Sequence, residues 1–304
     1  MLSMLGTRKK WPCLRTLEGH AHWVNDVAFG PDGRILASAS SDQSVMLWDQ
    51  AAGRSLGVLS GHTDNVTSVA FDSTGSLLAS ASWDESIRLW DPASRQCVRK
   101  LEGHNGWILA VAFDPSSSML ASAGADHTVR LWDTGTGQCV GILEGHSDDV
   151  NGVAFSSNGH LVASASQDRS VKLWDAASGK CLRTLEGHAN WVNDVAFSSD
   201  GRMLVSAGQD HTIRIWEGAS WSLTRTIKAH ARPVDAIAIS SNGKFVASAC
   251  VDKTIGLWNP ASGRAIETLE GHTHGVRGIA FNPGGELLAS AGVDKSIRIW
   301  GAAS

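Results

Sequence analysis

The stretch LEGHANWVNDVAFSSDGRMLVSAGQDHTIRIWE, residues 185–217, decides the fold. Within it VNDVAF (192–197), RMLVSAG (202–208) and TIRIWE (212–217) are short apolar or β-branched runs, and CLRTLEG (181–187) leads into them. These lengths suit strands, and SSDG (198–201) has the composition of a hairpin turn, so the unit reads as four short antiparallel strands. No helical period of useful length interrupts them.

The unit is copied along the chain. Gly-His occurs at 19–20, 61–62, 103–104, 145–146, 187–188 and 271–272, with Ala229-His230 in the remaining place, and every step is 42 residues. One such unit cannot bury its own apolar face, so the copies must pack on one another. The expected fold is all-β, a seven-bladed β-propeller with four antiparallel strands per blade. The last copy ends at SIRIWGAAS with three strands, while CLRTLEGH (13–20) is a fourth strand with no blade before it. Residues 11–304 make seven times 42, which predicts that the N-terminal strand completes the last blade and leaves no unpaired edge. A single domain over 11–304 thus follows an N-terminal tail of residues 1–10.

Composition narrows the function classes. A formal charge of −4, from 26 basic and 30 acidic residues, gives no global field for nucleic acid or an anionic membrane. The longest apolar runs, such as WILAVAF at 107–113, are too short to span a bilayer, and MLSMLGTRKK lacks an apolar signal core. A cytoplasmic monomer is expected, and the sequon at Asn65-Val66-Thr67 is read as chance. Cys13, Cys97, Cys139 and Cys181 are one position copied at multiples of 42, so reduced, partly buried packing residues are expected in place of disulfides. His22 and His274 have no cysteine or carboxylate at ligand spacing, and no phosphate loop or HExxH occurs, so neither metal nor cofactor is expected. Phe29, Phe71, Phe113, Phe155, Phe197 and Phe281 read as packing between blades, with Ile239 in the sixth copy and Phe245 refilling its volume. Ser117 stands where other copies have a turn glycine, which predicts a less ordered hairpin.

The pattern GH…V..VAF…G..LASAS.D.S…LWD resembles the WD40 repeat, in phase seven times over residues 11–304. The resemblance implies the seven-bladed propeller and an interaction platform in place of an enzyme. The uniformity of the copies also resembles the WD40 domains at the C-termini of fungal and bacterial nucleotide-binding signalling receptors. An engineered or consensus-like propeller with no native partner would look the same.

Each copy carries His, then Asp 22 positions on, then Ser or Thr, then Trp. The sets are His20, Asp42, Ser44, Trp48; His62, Asp84, Ser86, Trp90; His104, Asp126, Thr128, Trp132; and His146, Asp168, Ser170, Trp174. They continue with His188, Asp210, Thr212, Trp216; His230, Asp252, Thr254, Trp258; and His272, Asp294, Ser296, Trp300. A catalytic triad is needed once and must be open to solvent, whereas seven copies point to structure. A buried Asp needs donors, which imidazole and hydroxyl supply, and the indole N–H needs an acceptor, either hydroxyl or imidazole. The sets resemble the family's structural tetrad, and no catalytic residue is expected.

Three positions per copy vary while the frame around them does not: three and five after the His, and one before the Asp. From them comes the expected partner-binding set of Trp23, Asn25, Ser41, Asn65, Thr67, Trp83, Trp107, Leu109, Asp149, Asn151, Gln167, Trp191, Asn193, Gln209, Asp235 and Arg277. The resemblance places these positions on the top face around the central channel. Trp23, Trp83 and Trp107 are expected to form one patch, since large rings with one N–H donor anchor recognition surfaces. Arg169, Lys253, Arg277 and Lys295 tilt the later blades basic, opposed by Asp148 and Asp149. A protein or peptide partner is the leading expectation, and a small molecule or glycan stacked on the Trp-rich face is the alternative.

Overall fold

The computed structural model describes residues 11–116 and 118–301. The expected tail at 1–10 and the Ser117 turn position lie outside the described residues. Strand β1 (Cys13–Glu18) is followed by β2 (Val24–Phe29), β3 (Ile35–Ser40), β4 (Ser44–Asp49) and β5 (Arg54–Ser60). Strands β2 to β5 pair in sequence order, each antiparallel to the next, as the first blade. The same order recurs over residues 66–102, 108–143, 150–185, 192–228 and 234–270, giving β6 to β25.

The seventh blade holds β26 (Val276–Phe281), β27 (Leu287–Gly292) and β28 (Ser296–Gly301). Its fourth strand is β1, antiparallel to β28 with Arg15 opposite Ile299 and Leu17 opposite Ile297. The ring therefore closes by pairing between the two ends of the propeller.

The core sits at the blade junctions, because each blade is a twisted sheet with two faces to cover. In one junction Leu17, Ile297 and Ile299 of the seventh blade pack with Val24, Val27, Leu36 and Trp48 of the first. The second strand of each blade is buried on both faces, and its small residues, such as Ala37, Ser38, Ala39 and Ser40, let neighbouring blades approach. Phe155 is buried, and Phe29, Phe71, Phe113, Phe197 and Phe281 pack half-buried against their junctions, as does Ile239. Phe245 does not refill the Ile239 volume. It packs in the next junction, edge-on to Trp11 at 5.6 Å between ring centroids.

The cysteine expectation needs the same correction. Cys13, Cys97, Cys139 and Cys181 are exposed on the outermost strands, where only one neighbour covers the sheet, and Cys250 is the buried one. All five are free thiols.

One irregularity positions everything that follows. Each innermost strand carries a β-bulge after its first residue: Val24 pairs with Ser40 and Asp26 with Ala39, leaving Asn25 as the extra residue. The shift recurs at Thr67, Leu109, Asn151, Asn193, Asp235 and Arg277. A bulge re-aims the side chain it adds. The seven residues five after each His are those bulge residues.

Candidate functional site

The histidine sets form seven hydrogen-bonded relays. His20 Nδ1 lies 2.8 Å from Asp42 Oδ2, His20 Nε2 lies 2.7 Å from Ser38 Oγ, and the Trp48 indole N–H donates to that same Ser38 Oγ at 2.8 Å. An imidazole carrying its proton on Nδ1 satisfies every member: indole N–H to serine, serine O–H to Nε2, Nδ1–H to carboxylate. The corresponding serines are Ser80, Ser122, Ser164, Ser206, Ser248 and Ser290, with indole contacts of 2.8–3.0 Å. The hydroxyl expected to meet the indole therefore does not. Ser44 donates to Asp42 Oδ1 at 2.5 Å, and Thr212 donates to Asp210 Oδ1 at 2.8 Å. Serine recurs 18 residues after every His, a signal the sequence carried in plain view.

Serine, histidine and aspartate at these distances have the connectivity of a nucleophilic triad. Access separates the two: Ser206 is 0% exposed, and its oxygen already accepts the Trp216 N–H. No substrate reaches that oxygen, so the relay ties the second and third strands of a blade to the loop that enters it. Burial opposes the charge on Asp42, and the hydrogen bonds from His20 and Ser44 outweigh it, holding the carboxyl below the usual range. Asp84, Asp126, Asp168, Asp210 and Asp294 behave alike.

The variable positions converge on one face. The turn after the second strand is tied to the loop before the first, as in Ser41 N to Trp23 O at 2.9 Å and Trp83 N to Asn65 O at 3.0 Å. Both segments thus present their side chains at one end of the ring, around a cavity of about 430 Å³. Trp23, Asn25, Ser41, Asn65, Thr67, Trp83, Leu109, Asn151, Asn193, Gln209, Asp235 and Arg277 line it. Trp107, Asp149, Gln167 and Trp191 of the expected set do not. Trp107, 49% exposed, stacks on Trp83 with centroids 4.4 Å apart and rings inclined by 14°. Gln167 donates to Asn151 Oδ1 at 3.2 Å. Trp23 and Trp83 line the cavity together, with Trp107 stacked on Trp83, Trp23 lies under the Arg277 guanidinium at 5.0 Å, and Trp191 is 44% exposed outside the cavity lining.

The pattern WD domain, G-beta repeat matches seven times, over residues 11–49, 53–91, 95–133, 137–175, 179–217, 221–259 and 263–301. The chain belongs to the WD40 family. Individual repeats are similar to curated relatives: 57% identical over 37 residues to "Nuclear distribution protein PAC1" of Arthroderma benhamiae, covering 12% of this chain and 8% of that protein. A stretch of 41 residues is 49% identical to "Probable cytosolic iron-sulfur protein assembly protein 1" of Cryptococcus neoformans, covering 14% and 9%. Another of 43 residues is 37% identical to "Protein HIRA" of Dictyostelium discoideum, covering 14% and 4%. The chain thus spans less than a tenth of the length of the relatives it matches.

The WD40 frame hides two further features of this channel. The bulge residues are not free to vary in every blade: Asn25, Asn151 and Asn193 donate to Val66, Val192 and Val234 carbonyls of the next blade at 2.8–3.0 Å, and Thr67 to Ile108 at 2.7 Å. They latch adjacent blades together while facing the cavity. One residue further on, Asp26 accepts from Ser68 Oγ at 2.9 Å and Val69 N at 3.0 Å, and Asp194 from Ile237 N at 2.9 Å. Burial pushes Asp26 up to about 6 and Asp194 up to about 7. Neither carboxylate was singled out from sequence, because nothing in a strand of alternating residues marks the position after a bulge as one that bonds to the next blade.

Charge on the WD40 face is uneven. Arg169, Lys253, Arg277 and Lys295 are exposed around the later blades. In the fourth blade burial and the neighbouring Asp148 push the Asp149 carboxyl up, and His127 Nε2 lies 3.5 Å from Asp149 Oδ1. Two groups have metal-donor spacing among the described residues, His127 with Asp148 and Asp149, and His230 with Cys250 and Asp252. The first is held by the His127–Asp149 contact between blades. In the second His230 is bonded to Asp252, and Cys250 Sγ accepts from Asp252 N at 3.3 Å.

Proposed function

We propose that this WD40 propeller is a non-catalytic recognition platform that binds a protein or peptide across the face bearing the bulge residues. The observation that supports this reading is the placement of variation. Residues that differ between otherwise uniform repeats line one cavity, beside a Trp83–Trp107 stack whose outer ring is exposed. Nothing in the blade frame dictates an indole at either position, since the other blades have Ser, Ala, Gln or Val at the Trp83 place, and four blades have Asn, Asp, Pro or Gly at the Trp107 place. A relative named as an assembly protein is in keeping with a part played alongside other proteins.

The test is capture of partners by wild type and by a Trp83→Ala, Trp107→Ala variant. Truncating a central aromatic anchor costs an interface about 2 kcal/mol or more, so specific capture should vanish while melting changes little. Arg183→Ala, on an exposed outermost strand, should be silent in both. A double variant that captures the same partners refutes the face. Glycan-array binding lost in the same variant would redirect the reading to sugars.

A further inference from the structure

Asp235 is the odd member of the ring of bulge residues. Where Asn25, Thr67, Asn151 and Asn193 each give a hydrogen to the next blade's carbonyl, an ionised carboxylate has none to give. The equivalent carbonyl in the next blade belongs to Val276, and Asp235 makes no hydrogen bond to it. Among the described residues no donor reaches the Asp235 carboxylate at all, although it is half-buried in the cavity wall. Desolvation pushes its carboxyl up to about 6, which leaves it mostly anionic at neutral pH. Arg277, the next bulge residue, acts on it only through its charge, because the guanidinium is drawn over the Trp23 ring. The fold would be better served by asparagine, which three other blades use here. An accessible carboxylate that the fold leaves without a donor is open to one brought by a ligand.

We propose that the cavity mouth receives a cationic side chain, a lysine or arginine of a basic peptide segment, with Asp235 as its counter-ion. The cavity of about 430 Å³ admits a side chain of that size, and Trp23 and Trp83 on its rim offer ring surface to the alkyl stem. An ammonium or guanidinium brings several donors, enough for the carboxylate and for a free amide oxygen such as Gln209 Oε1. This assignment rests on the recognition reading above and names the chemistry of its partner.

The test needs no partner in hand. Indole resonances of Trp23 and Trp83 are followed while the protein is titrated with Nα-acetyl-lysine methylamide, its arginine counterpart and the uncharged Nα,Nε-diacetyl-lysine methylamide. Saturable shifts with the two cationic probes, none with the diacetylated one, and at least about a tenfold weakening in Asp235→Asn are expected. Glu286→Gln, an exposed carboxylate on the opposite face, should bind as wild type does. Asp235→Asn should also melt at or above wild type, because asparagine can make the latch its neighbours make. No shift with the cationic probes, equal shifts with the neutral probe, or an unaffected Asp235→Asn would overturn the assignment. So would an Asp235→Asn that melts below wild type, which would make Arg277 the built-in partner of Asp235. Loss of probe binding in Asp235→Asn stands or falls independently of partner capture by the Trp83→Ala, Trp107→Ala variant, so the two readings can fail separately.

Discussion

Ser206 and Thr212 are both hydroxyl residues of the fifth blade, close in sequence, with unequal tasks. Ser206 accepts the Trp216 N–H and meets His188 Nε2 at 2.8 Å, whereas the Thr212 hydroxyl serves Asp210 alone. Ser206→Ala strands two buried groups and should cost about 1–3 kcal/mol in denaturant unfolding, while Thr212→Ala should cost about 1 kcal/mol or less. Equal losses would show that the relay is wired otherwise. From sequence the two hydroxyls could not be told apart. Both repeat every 42 residues, and the one nearer the Asp looked the better partner although the strand register hands the indole to the other. The same scale sets the pH response. All seven relay carboxyls lie below the usual range, so what they contribute is complete above about pH 4 and is lost as pH falls through their folded values. Asp26, Asp194 and Asp235, at about 6, 7 and 6, work in the opposite sense. Between about pH 4 and 7 the folded protein holds protons that the unfolded chain has released, so stability falls as pH rises through that window. Denaturant midpoints should peak near pH 4–5, roughly, and level off above about 7, with Asp194→Asn flattening the upper limb. A midpoint flat from about pH 5 to 8 in wild type would contradict the raised carboxyls.

Within a blade, the elements show how one replacement licenses another. A Cβ added at Gly61 or Gly271 would meet the Arg88 or Arg298 guanidinium at 3.0–3.1 Å, and at Gly187 it would meet Arg214 at 2.7 Å. The sixth blade alone has Ala229 in this place, and it alone has Gly256 where others carry arginine, lysine or methionine. The methyl occupies room the missing side chain would need. Restoring the side chain by itself should be destabilising, since a Cβ at Gly256 falls 2.6 Å from Trp258 Nε1. Gly256→Arg should cost about 1–3 kcal/mol, and adding Ala229→Gly should recover part of it in thermal melting. Additive losses would deny the coupling. The sequence showed both departures but not that they face each other across a tetrad indole. The bulges were equally hidden, because a single extra residue leaves the apolar pattern on either side intact. The variable positions were legible as a set, and the bulge explains why they meet.

For the whole molecule, seven in-phase copies left little freedom, and strand count, order and closure followed from the period and the two orphan ends. Charge placement around the face did not, because it depends on which loop of one blade neighbours which turn of the next. Deleting residues 11–18 should remove β1, bare the edge of β28 and leave Leu17 missing from the junction it shares with Trp48. The truncated chain should melt early and associate in sedimentation experiments; an equally stable monomer would place the closure elsewhere. The same pairing has a kinetic side. Blades one to six are assembled from hairpins, whose partners lie a few residues apart and find each other quickly. The seventh is different, since Arg298 Nη1 and Cys13 Sγ, 3.8 Å apart, are separated by 285 positions along the chain. The first strand of the propeller to be synthesised is thus the last that can be seated, and until then it waits as an unpaired β-segment on a nearly finished ring. Folding should end in a slow, entropy-limited step. A circularly permuted chain opened between blades one and two, with all four strands of the last blade made contiguous, should therefore refold faster than the natural order while reaching the same ring.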